Sequence, residues 1–253
     1  MFFPAEVKSW AGTYRYNAPK KEPSFSVHVH VVFNHAVLLF VHFRTFALKF
    51  QHVAQQLPVM EQFYTIQGEG EFTGSPAWFI RLGGCDVGCF WCDVKESWDA
   101  DAHPKWSVEQ LVEEAVESGA PIAVITGGEP CMHNLDALTA QLQAKGIRTH
   151  LETSGAHPLT GSWNWICLSP KKFKPVRQEF YAVAHELKIV VYNKHDLQWA
   201  EGHRNAVDVA KTLCFLQPEW EEREENLPMI LNHIRENPMW KLSLQTHKYI
   251  GIP

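Results

Sequence analysis

Short apolar runs alternate with amphipathic stretches from residue 55 to the end of the chain. Helix-like stretches follow Ser107, which has Gln110 in the capping-box position, and cover residues 135–144 and about 228–235. The apolar runs predict strands at 77–82, 122–126, 150–153, 165–168, 187–191, 213–216 and 241–245. Strands that alternate with helices form parallel βαβ units, and six or seven strands are too few for a closed barrel of eight. We therefore predict an α/β fold, an incomplete (β/α) barrel around a parallel sheet of six or seven strands.

Residues 1–54 have a different pattern, without glycine clusters and without a clear helical period. Residues 27–30 alternate like a strand, but the alternation ends there. Four of its histidines have a spacing that matches no metal site: His28, His30, His35 and His42. We therefore expect residues 1–54 to be a poorly packed N-terminal extension, disordered or not native to the protein, and residues 55–253 to be the folded domain.

The composition limits the partners and the location of the protein. The net charge of −5 gives no electrostatic reason to expect nucleic acid or an anionic membrane surface. The sequence has no apolar stretch of ~18 residues that could span a bilayer. The six cysteines are too unevenly spread for a disulfide framework, and three of them within residues 85–92 indicate a metal in a reducing cytoplasm. We expect Cys131, Cys167 and Cys214, which lie in or beside apolar strands, to be buried core residues.

Three cysteines follow the first predicted strand with the spacing C-x3-C-x2-C: Cys85, Cys89 and Cys92. Thiolates are soft ligands that suit zinc or an iron–sulfur cluster. A structural zinc site would need a fourth ligand, such as His103, but no second pair of Cys or His stands at the spacing of a zinc finger. Three cysteines leave one iron of a four-iron cluster without a protein ligand, so a small molecule can bind there. The spacing therefore favours a [4Fe–4S] cluster over zinc.

Polar residues gather where the predicted parallel strands end, which is where barrel enzymes place their active sites. These residues are Thr126, Glu129, Glu152 to Ser154, Ser169, Lys171, Gln217, Gln245 and His247. The turn at 127–130 reads Gly-Gly-Glu-Pro, and its glycines would allow an amino-acid-like ligand to approach the backbone. The predicted strand ends thus form one polar rim.

The cysteine motif, with Trp91 before its last cysteine, and the Gly-Gly-Glu-Pro turn together resemble the radical S-adenosylmethionine (SAM) superfamily. Further segments resemble the 7-carboxy-7-deazaguanine synthase family of queuosine biosynthesis, a tRNA modification pathway. These segments are 65–70, the strand that carries Arg81, 125–130, 152–155, 169–171, 216–218 and 245–249. The resemblance covers residues 55–253 and leaves 1–54 outside. It implies a radical SAM partial-barrel catalytic domain.

The resemblance implies two cofactors. Cys85, Cys89 and Cys92 would hold a [4Fe–4S] cluster, SAM would bind its open iron, and one electron would cleave SAM to a 5′-deoxyadenosyl radical. The residues implied in cofactor binding are Trp91, Cys92, Asp93, Gly128, Glu129, Ser169, Pro170, Lys171 and Gln217. The electron would come from a donor such as flavodoxin or ferredoxin, and the family suggests a homodimer.

The resemblance also implies a lyase that converts 6-carboxy-5,6,7,8-tetrahydropterin to 7-carboxy-7-deazaguanine with loss of ammonia. The substrate residues would be Ile66, Gln67, Gly68, Glu69, Arg81, Thr126, His247 and Pro253, the last through its terminal carboxylate. The amide of Gln67 can read the donor–acceptor edge of a pterin, Glu69 can accept from ring N–H groups, and Arg81 suits a planar carboxylate.

One position departs from the family pattern. A threonine that helps to hold Mg²⁺ usually follows the aspartate after the third cysteine, but here Val94 follows Asp93. Valine cannot bind a hard cation, so the Mg²⁺ site is in doubt, and we expect Mg²⁺ to bind mainly through substrate and cofactor oxygens. Two other functions remain open from the sequence: an activating enzyme that makes a glycyl radical on a partner protein, and a non-catalytic metal-binding or interaction module.

Overall fold

The computed structural model describes residues 55–253, and the predictions for 1–54 lie outside the described residues. The strands are β1 (Gln56–Ile66), β2 (Pro76–Leu82), β3 (Lys105–Ser107), β4 (Ile122–Gly127), β5 (Arg148–Thr153), β6 (Trp165–Leu168), β7 (Glu186–Val191), β8 (Leu213–Pro218) and β9 (Trp240–Leu242). The helices are α1 (Val108–Glu117), α2 (Asp136–Ala144), α3 (Gln178–Val183), α4 (His195–Arg204), α5 (Arg223–Glu236) and α6 (Thr246–Ile250).

All nine strands belong to one sheet, in the order β3-β1-β2-β4-β5-β6-β7-β8-β9. The seven strands from β2 to β9, without β3, pair in parallel. Within residues 55–253 the sheet ends at β3 and β9 and does not close on itself. The predicted incomplete barrel of six or seven parallel strands is therefore confirmed.

Two strands at one edge were not predicted. β1 pairs antiparallel with both β2 and β3, and its register with β2 shifts between Val59 and Glu61. This irregularity breaks the alternation of buried and exposed residues along β1, and Pro58 interrupts the run further, so the sequence lacks a clear strand pattern there. The last strand, predicted at 241–245, is shorter than expected, since β9 ends at Leu242.

Helices cover the outer face of the sheet with apolar side chains. Leu111 of α1 and Leu138 and Leu142 of α2 are fully buried in one core cluster with Ile80 of β2 and Ile125 of β4. The capping box predicted at the start of α1 is present, since Ser107 Oγ accepts from Gln110 N and Gln110 Oε1 accepts from Ser107 N. A second core cluster lies between β5–β9 and helices α3–α5.

The inner face of the sheet carries the polar side chains because strand residues alternate between the two faces. On β7, Leu187 and Ile189 belong to the apolar core, whereas Lys188 between them faces the other side. The same period places Glu152 of β5 and Gln217 of β8 on that inner side, where they line one cavity with Lys188. The fold thus concentrates charge inside the partial barrel. Among the described residues, every helix is too short or too polar to cross a bilayer.

Candidate active site

The cysteine loop follows β2 and is held by backbone hydrogen bonds to a later segment. Gly84 N–H donates to the Ser97 carbonyl at 2.7 Å, and Cys85 N–H donates to the Trp98 carbonyl at 3.0 Å. Gly84 adopts a φ of 104°, which a residue with a side chain rarely adopts. The loop therefore leaves the end of β2 in a defined direction before its first cysteine.

The Gly-Gly-Glu-Pro turn at the end of β4 packs directly against this loop. Gly128 N–H donates to the Leu82 carbonyl at 3.0 Å, and Glu129 N–H donates to the Gly84 carbonyl at 2.8 Å. A Cβ atom at Gly128 would lie 2.4 Å from the Gly84 carbonyl oxygen and 2.7 Å from the Cβ of Cys85. The contact between the two loops thus requires glycine at position 128. This reason adds to the expected approach of a ligand.

Glu129 is buried and fully hydrogen-bonded within the protein. Its Oε1 accepts from Thr153 Oγ1 at 2.6 Å and from Cys131 N–H at 3.0 Å. Its Oε2 accepts from the Ser154 N–H at 2.8 Å and from Ser154 Oγ at 2.5 Å. The side chain thereby fastens the end of β4 to the end of β5, beside the cysteine loop.

The cysteine loop is also held from the opposite side, through Asp86. Asp86 Oδ1 accepts from His157 Nε2 at 2.8 Å, and Oδ2 accepts from Lys174. The hydrogen bond from Lys174 is the main cause that holds the pKa of Asp86 below its ordinary value. The loops after β5 and β6 therefore fix the first part of the cysteine motif.

The three cysteines line one large cavity at the carboxyl ends of the parallel strands. It is lined by all but one of the residues predicted to bind cofactors, namely Trp91, Cys92, Asp93, Gly128, Glu129, Ser169, Lys171 and Gln217. The exception, Pro170, lines a neighbouring cavity with Phe90 and Phe173.

The chemistry of the cavity wall fits an iron–sulfur cluster. All three thiols are free. Burial raises the pKa of the Cys89 thiol to about 11, so its thiolate requires nearby positive charge, and a bound metal deprotonates a coordinating thiol outright. Lys171, which donates to the Ser169 carbonyl at 2.6 Å and to Ser169 Oγ at 2.7 Å, lies 6.0 Å from the centre of the Trp91 ring.

A second cavity adjoins the first. All eight residues predicted to bind substrate line it: Ile66, Gln67, Gly68, Glu69, Arg81, Thr126, His247 and Pro253. The cysteines line only the first cavity, and Gln67 and His247 line only the second. The residues common to both walls are Glu69, Arg81, Asp93, Val94, Thr126, Glu152 and Gln245.

Helix α6 closes one side of the second cavity by packing on the end of β1. Thr246 N–H and Thr246 Oγ1 both donate to the Gly68 carbonyl, at 3.0 and 2.8 Å. A Cβ atom at Gly68 would lie 2.2 Å from His247 Nδ1, so the contact requires glycine. Burial lowers the pKa of His247, which favours its neutral form at the cavity wall.

Comparison with known proteins identifies the family. The radical SAM superfamily matches residues 79–168. The 7-carboxy-7-deazaguanine synthase of Flavobacterium psychrophilum is 52% identical over 199 residues, which are 79% of this chain and 94% of that protein. The chain belongs to the 7-carboxy-7-deazaguanine synthase family. The synthase of Synechocystis is 47% identical over 77% of this chain and 93% of that protein, and that of Escherichia coli is 37% identical over 78% and 99%.

A solved member of the 7-carboxy-7-deazaguanine synthase family has the same fold. The crystal structure of QueE from Escherichia coli matches with a TM-score of 0.68 and 34% sequence identity, over 76% of this chain and 95% of that chain. The resemblance stated from the sequence motifs is thus confirmed, and with it the radical SAM fold and enzyme class. The activating enzyme for a glycyl-radical protein is not favoured by these matches.

A zinc site formed by the cysteines is not supported by the geometry. Among residues 55–253, no three side chains of His, Cys, Asp or Glu converge as ligands of a single ion. His103, the suggested fourth ligand, instead donates from Nε2 to the Glu96 carbonyl at 2.9 Å. A four-iron cluster binds its thiolates at separate irons, so a cluster of the radical SAM type needs no such convergence.

The expected Mg²⁺ ligands do not form a protein-held site. Val94 lines both cavities with an apolar side chain, where the 7-carboxy-7-deazaguanine synthase family usually has threonine. The carboxylate of Asp93 accepts a hydrogen bond from Lys248 Nζ at 2.7 Å, so it is already paired with a cation. Positions 93 and 94 therefore do not offer Mg²⁺ the free oxygen ligands that it prefers.

Sequence reasoning missed two charged residues of the site. Glu152 was placed on the polar rim without a role, and Lys188 was treated as part of an apolar strand. Lys188 Nζ donates to Glu69 Oε2 at 2.6 Å and to Glu152 Oε2 at 2.9 Å. Burial opposes the charge on Glu69, but the charge and hydrogen bond of Lys188 outweigh it and lower the pKa to about 2. The signal in the sequence was a lone lysine within an otherwise apolar run at 187–191.

Arg81 is also paired within the protein. Its Nε donates to Glu61 Oε1 on the neighbouring strand β1 at 2.6 Å. The remaining predictions about cysteines agree with the structure, since Cys131, Cys167 and Cys214 are all buried and free. The roles of individual site residues stay predictions, although the residues themselves gather around two adjoining cavities.

Proposed function

We propose that this chain converts 6-carboxy-5,6,7,8-tetrahydropterin to 7-carboxy-7-deazaguanine with loss of ammonia, as a radical SAM carbon–nitrogen lyase of deazapurine biosynthesis. One observation carries the proposal. A cavity lined by three cysteines shares a wall with a second cavity lined by Gln67, Glu69 and His247. The two sites that the reaction needs, one for the radical source and one for the molecule it attacks, therefore lie side by side.

The first cavity would hold the cofactors. Cys85, Cys89 and Cys92 would bind a [4Fe–4S] cluster that leaves one iron open for SAM. The chemistry that these bound groups supply is a one-electron cleavage of a carbon–sulfur bond, which yields a carbon-centred radical. Trp91 and Gln217 would border the nucleoside part of SAM, and the wall formed by the buried strand ends would exclude water from the reacting atoms.

The second cavity would hold the pterin through donors and acceptors at fixed positions. Gln67 is buried, and its Oε1 accepts from the Glu69 N–H at 3.1 Å, which fixes the orientation of the amide. The carboxylates of Glu69 and Glu152 can accept from the amino and ring N–H groups of the substrate. Arg81, whose Nε is held by Glu61, can present its terminal nitrogens to the substrate carboxylate. Thr126 and His247 complete the wall.

The Mg²⁺ ion expected from the family would depend on ligands other than this protein. Because Val94 offers no oxygen and Asp93 is paired with Lys248, Mg²⁺ would bind mainly through oxygens of the substrate and cofactor. An external electron donor such as flavodoxin or ferredoxin would reduce the cluster, and the functional unit would be a homodimer in the cytoplasm. The acidic net charge of −5 agrees with an enzyme that does not contact tRNA directly.

The deciding experiment uses the full chain after anaerobic reconstitution of its cluster. The enzyme is incubated with SAM, a reductant and 6-carboxy-5,6,7,8-tetrahydropterin, and the products are separated by chromatography and mass spectrometry. We expect 7-carboxy-7-deazaguanine and an equal amount of ammonia. Cleavage of SAM without this product would instead favour an activating enzyme for a partner protein. A chain that binds iron but cleaves no SAM would be a non-catalytic module.

A further inference from the structure

Lys188 lines the first cavity and contacts two carboxylates, from two distant segments, that line both cavities. Its side chain is 4% exposed, and its ammonium donates to Glu69 at 2.6 Å and to Glu152 at 2.9 Å. Glu69 follows β1 and Glu152 lies on β5, whereas Lys188 lies on β7. The lysine therefore joins three separate parts of the partial barrel at a single point.

The two carboxylates keep further acceptor capacity on the side of the cavities. Glu69 uses Oε2 for Lys188 and Oε1 for Gln245 Nε2 at 3.0 Å. Within residues 55–253, Glu152 Oε1 has only a long contact of 3.5 Å with Gln67 Nε2. Both side chains are about one fifth exposed, at 18% and 21%, and both line both cavities. A carboxylate oxygen has two lone pairs, so each group can still accept from a ligand.

A third carboxylate increases the need for the lysine. Glu186 is buried on the same strand, and its Oε2 accepts from the Glu71 N–H at 3.2 Å and from Trp165 Nε1 at 3.3 Å. Like charges in a buried site disfavour one another's ionised form, so three neighbouring carboxylates would not all stay ionised without a cation. Lys188 supplies that cation at hydrogen-bond distance from two of them.

Structural stability alone explains this arrangement poorly. Burying an ion pair costs desolvation, and apolar residues of similar size often stabilise a fold equally well. The pair also lies at the ligand cavities and not in the apolar core, where Leu187 and Ile189 of the same strand pack. The buried charges are therefore best explained if a ligand needs both carboxylates ionised and in fixed positions.

We propose that Lys188 is a positioning residue of the substrate site, whose ammonium holds Glu69 and Glu152 side by side as ionised acceptors for the N–H groups of the substrate. The inference rests on the proposed function and adds to it a residue that helps to determine which substrate binds. The site would select a flat ligand that presents several hydrogen-bond donors along one edge. Lys188 also lines the cysteine-lined cavity, but SAM would be held mainly by the cluster and by residues such as Trp91 and Gln217, so it would depend on Lys188 less than the pterin does.

The test measures two dissociation constants on the same reconstituted enzyme under anaerobic conditions. The constant for 6-carboxy-5,6,7,8-tetrahydropterin is determined by equilibrium dialysis in the presence of SAM, and the constant for SAM is determined without pterin. In Lys188→Met, loss of at least one charge-assisted hydrogen bond should weaken pterin binding about tenfold or more. The SAM constant should change less than about threefold although Lys188 lines the same cavity, because SAM would be held mainly by the cluster and not by the two carboxylates. Lys211→Met, which removes an exposed lysine paired with Asp208, is the matched control.

A second variant separates positioning from simple charge balance. Lys188→Met/Glu186→Gln removes one neighbouring negative charge without changing Glu69 or Glu152, so it should recover thermal stability without recovering pterin affinity. Recovery of both would overturn the proposal, as would unchanged pterin binding in Lys188→Met or an equal loss of SAM binding. If Lys188→Met does not fold, the pterin and SAM dissociation constants are measured on the double variant and on Lys188→Gln and are judged by the same criteria. A wild type that binds no pterin would instead overturn the proposed function.

Discussion

The Lys248 ammonium donates a hydrogen bond to Asp93 Oδ2 across 2.7 Å, and the pair joins two segments that are 155 residues apart in the sequence. Asp93 directly follows the last cysteine of the motif, and Lys248 lies on α6 beside His247. The cofactor loop and the helix that closes the second cavity are thereby connected. Lys248 also lies 5.2 Å from the centre of the Trp220 ring, which adds a cation–π contact to the same junction.

Removal of this ion pair should weaken substrate binding more than it weakens the fold. The side chains are 22% and 55% exposed, so Lys248→Met should lower the free energy of unfolding by less than about 1 kcal/mol. Release of α6 would let His247 move, and pterin affinity should fall about fivefold, as expected for a loss of about 1 kcal/mol. Equilibrium dialysis and urea unfolding measure the two effects. The control is Lys211→Met, and equal pterin affinity in both variants would contradict the prediction.

A methyl group at Gly128 should damage the cluster site. The added Cβ would come within 2.4 Å of the Gly84 carbonyl oxygen, which is backbone and cannot rotate away. Gly128→Ala should therefore displace the loop that carries Cys85 and reduce the iron and sulfide bound per chain after anaerobic reconstitution. Iron analysis and the visible absorption of the cluster measure this loss.

Gly202→Ala provides the matched control for that substitution. Gly202 lies in α4, and a Cβ there would meet no atom within 4 Å. Alanine should stabilise the helix by roughly 0.5–1 kcal/mol and leave the iron content unchanged. Full iron content in Gly128→Ala would mean that the two loops can separate without loss of the site.

A hydroxyl group at position 94 should increase the response to Mg²⁺. Threonine has nearly the shape of valine and supplies the hard oxygen ligand that Val94 lacks. Val94→Thr should lower the Mg²⁺ concentration for half-maximal activity by about tenfold, the factor that corresponds to one added ligand worth about 1.4 kcal/mol. Val94→Ala, which adds no oxygen, should not lower that Mg²⁺ concentration. If excess chelator leaves the wild-type rate unchanged, Mg²⁺ has no part in the wild-type reaction.

The stability of the fold should fall in mild acid because of His150. This side chain is 3% exposed on β5 and packs against the Phe72 ring at 4.4 Å between centroids. Among the described residues its buried Nε2 has no hydrogen-bond partner. Burial lowers the pKa of His150 from 6.5 to about 4, so the unfolded chain takes up a proton at a higher pH than the folded one. Its stabilising effect is complete above pH 6.5 and is lost as the pH falls towards 4.

The effect can be measured as the pH dependence of unfolding. The difference between a pKa of 6.5 in the unfolded chain and about 4 in the folded one corresponds to about 3 kcal/mol at most. His150→Gln cannot titrate, so its free energy of unfolding by urea should change less between pH 7 and pH 4.5 than that of the wild type. His195→Gln, at an exposed position of α4, should retain the full pH dependence. Parallel pH profiles for all three proteins would exclude His150 as the cause.

The parts of the fold that the sequence predicted are those governed by local pattern. Buried runs such as 165–168 match an observed strand residue for residue, because a parallel sheet covered by helices needs apolar side chains there. β1 was missed because its bulge and Pro58 disturb the alternation on which such predictions depend. The short α6 was not predicted, since its five residues are too few to give a helical period.

The parts of the site that the sequence missed depend on contacts between distant segments. Gln67 and His247 were predicted to bind substrate because their motifs resemble those of the family. Nothing in the run at 187–191 reveals that Lys188 meets Glu69 and Glu152, because that meeting follows from the order of β5 and β7 in the sheet and from the loop after β1. The reason for glycine at 128 was likewise visible only once the two loops were seen in contact.

The shared wall between the cavities makes the two ligands thermodynamically dependent on each other. Side chains such as Glu69, Arg81 and Thr126 face both spaces, so a molecule that orders them in one space changes the cost of binding in the other. By reciprocity, whatever factor SAM contributes to pterin affinity, pterin contributes to SAM affinity. A favourable factor would mean that the radical source is held most tightly when its target is already in place, which limits wasteful cleavage of the cofactor.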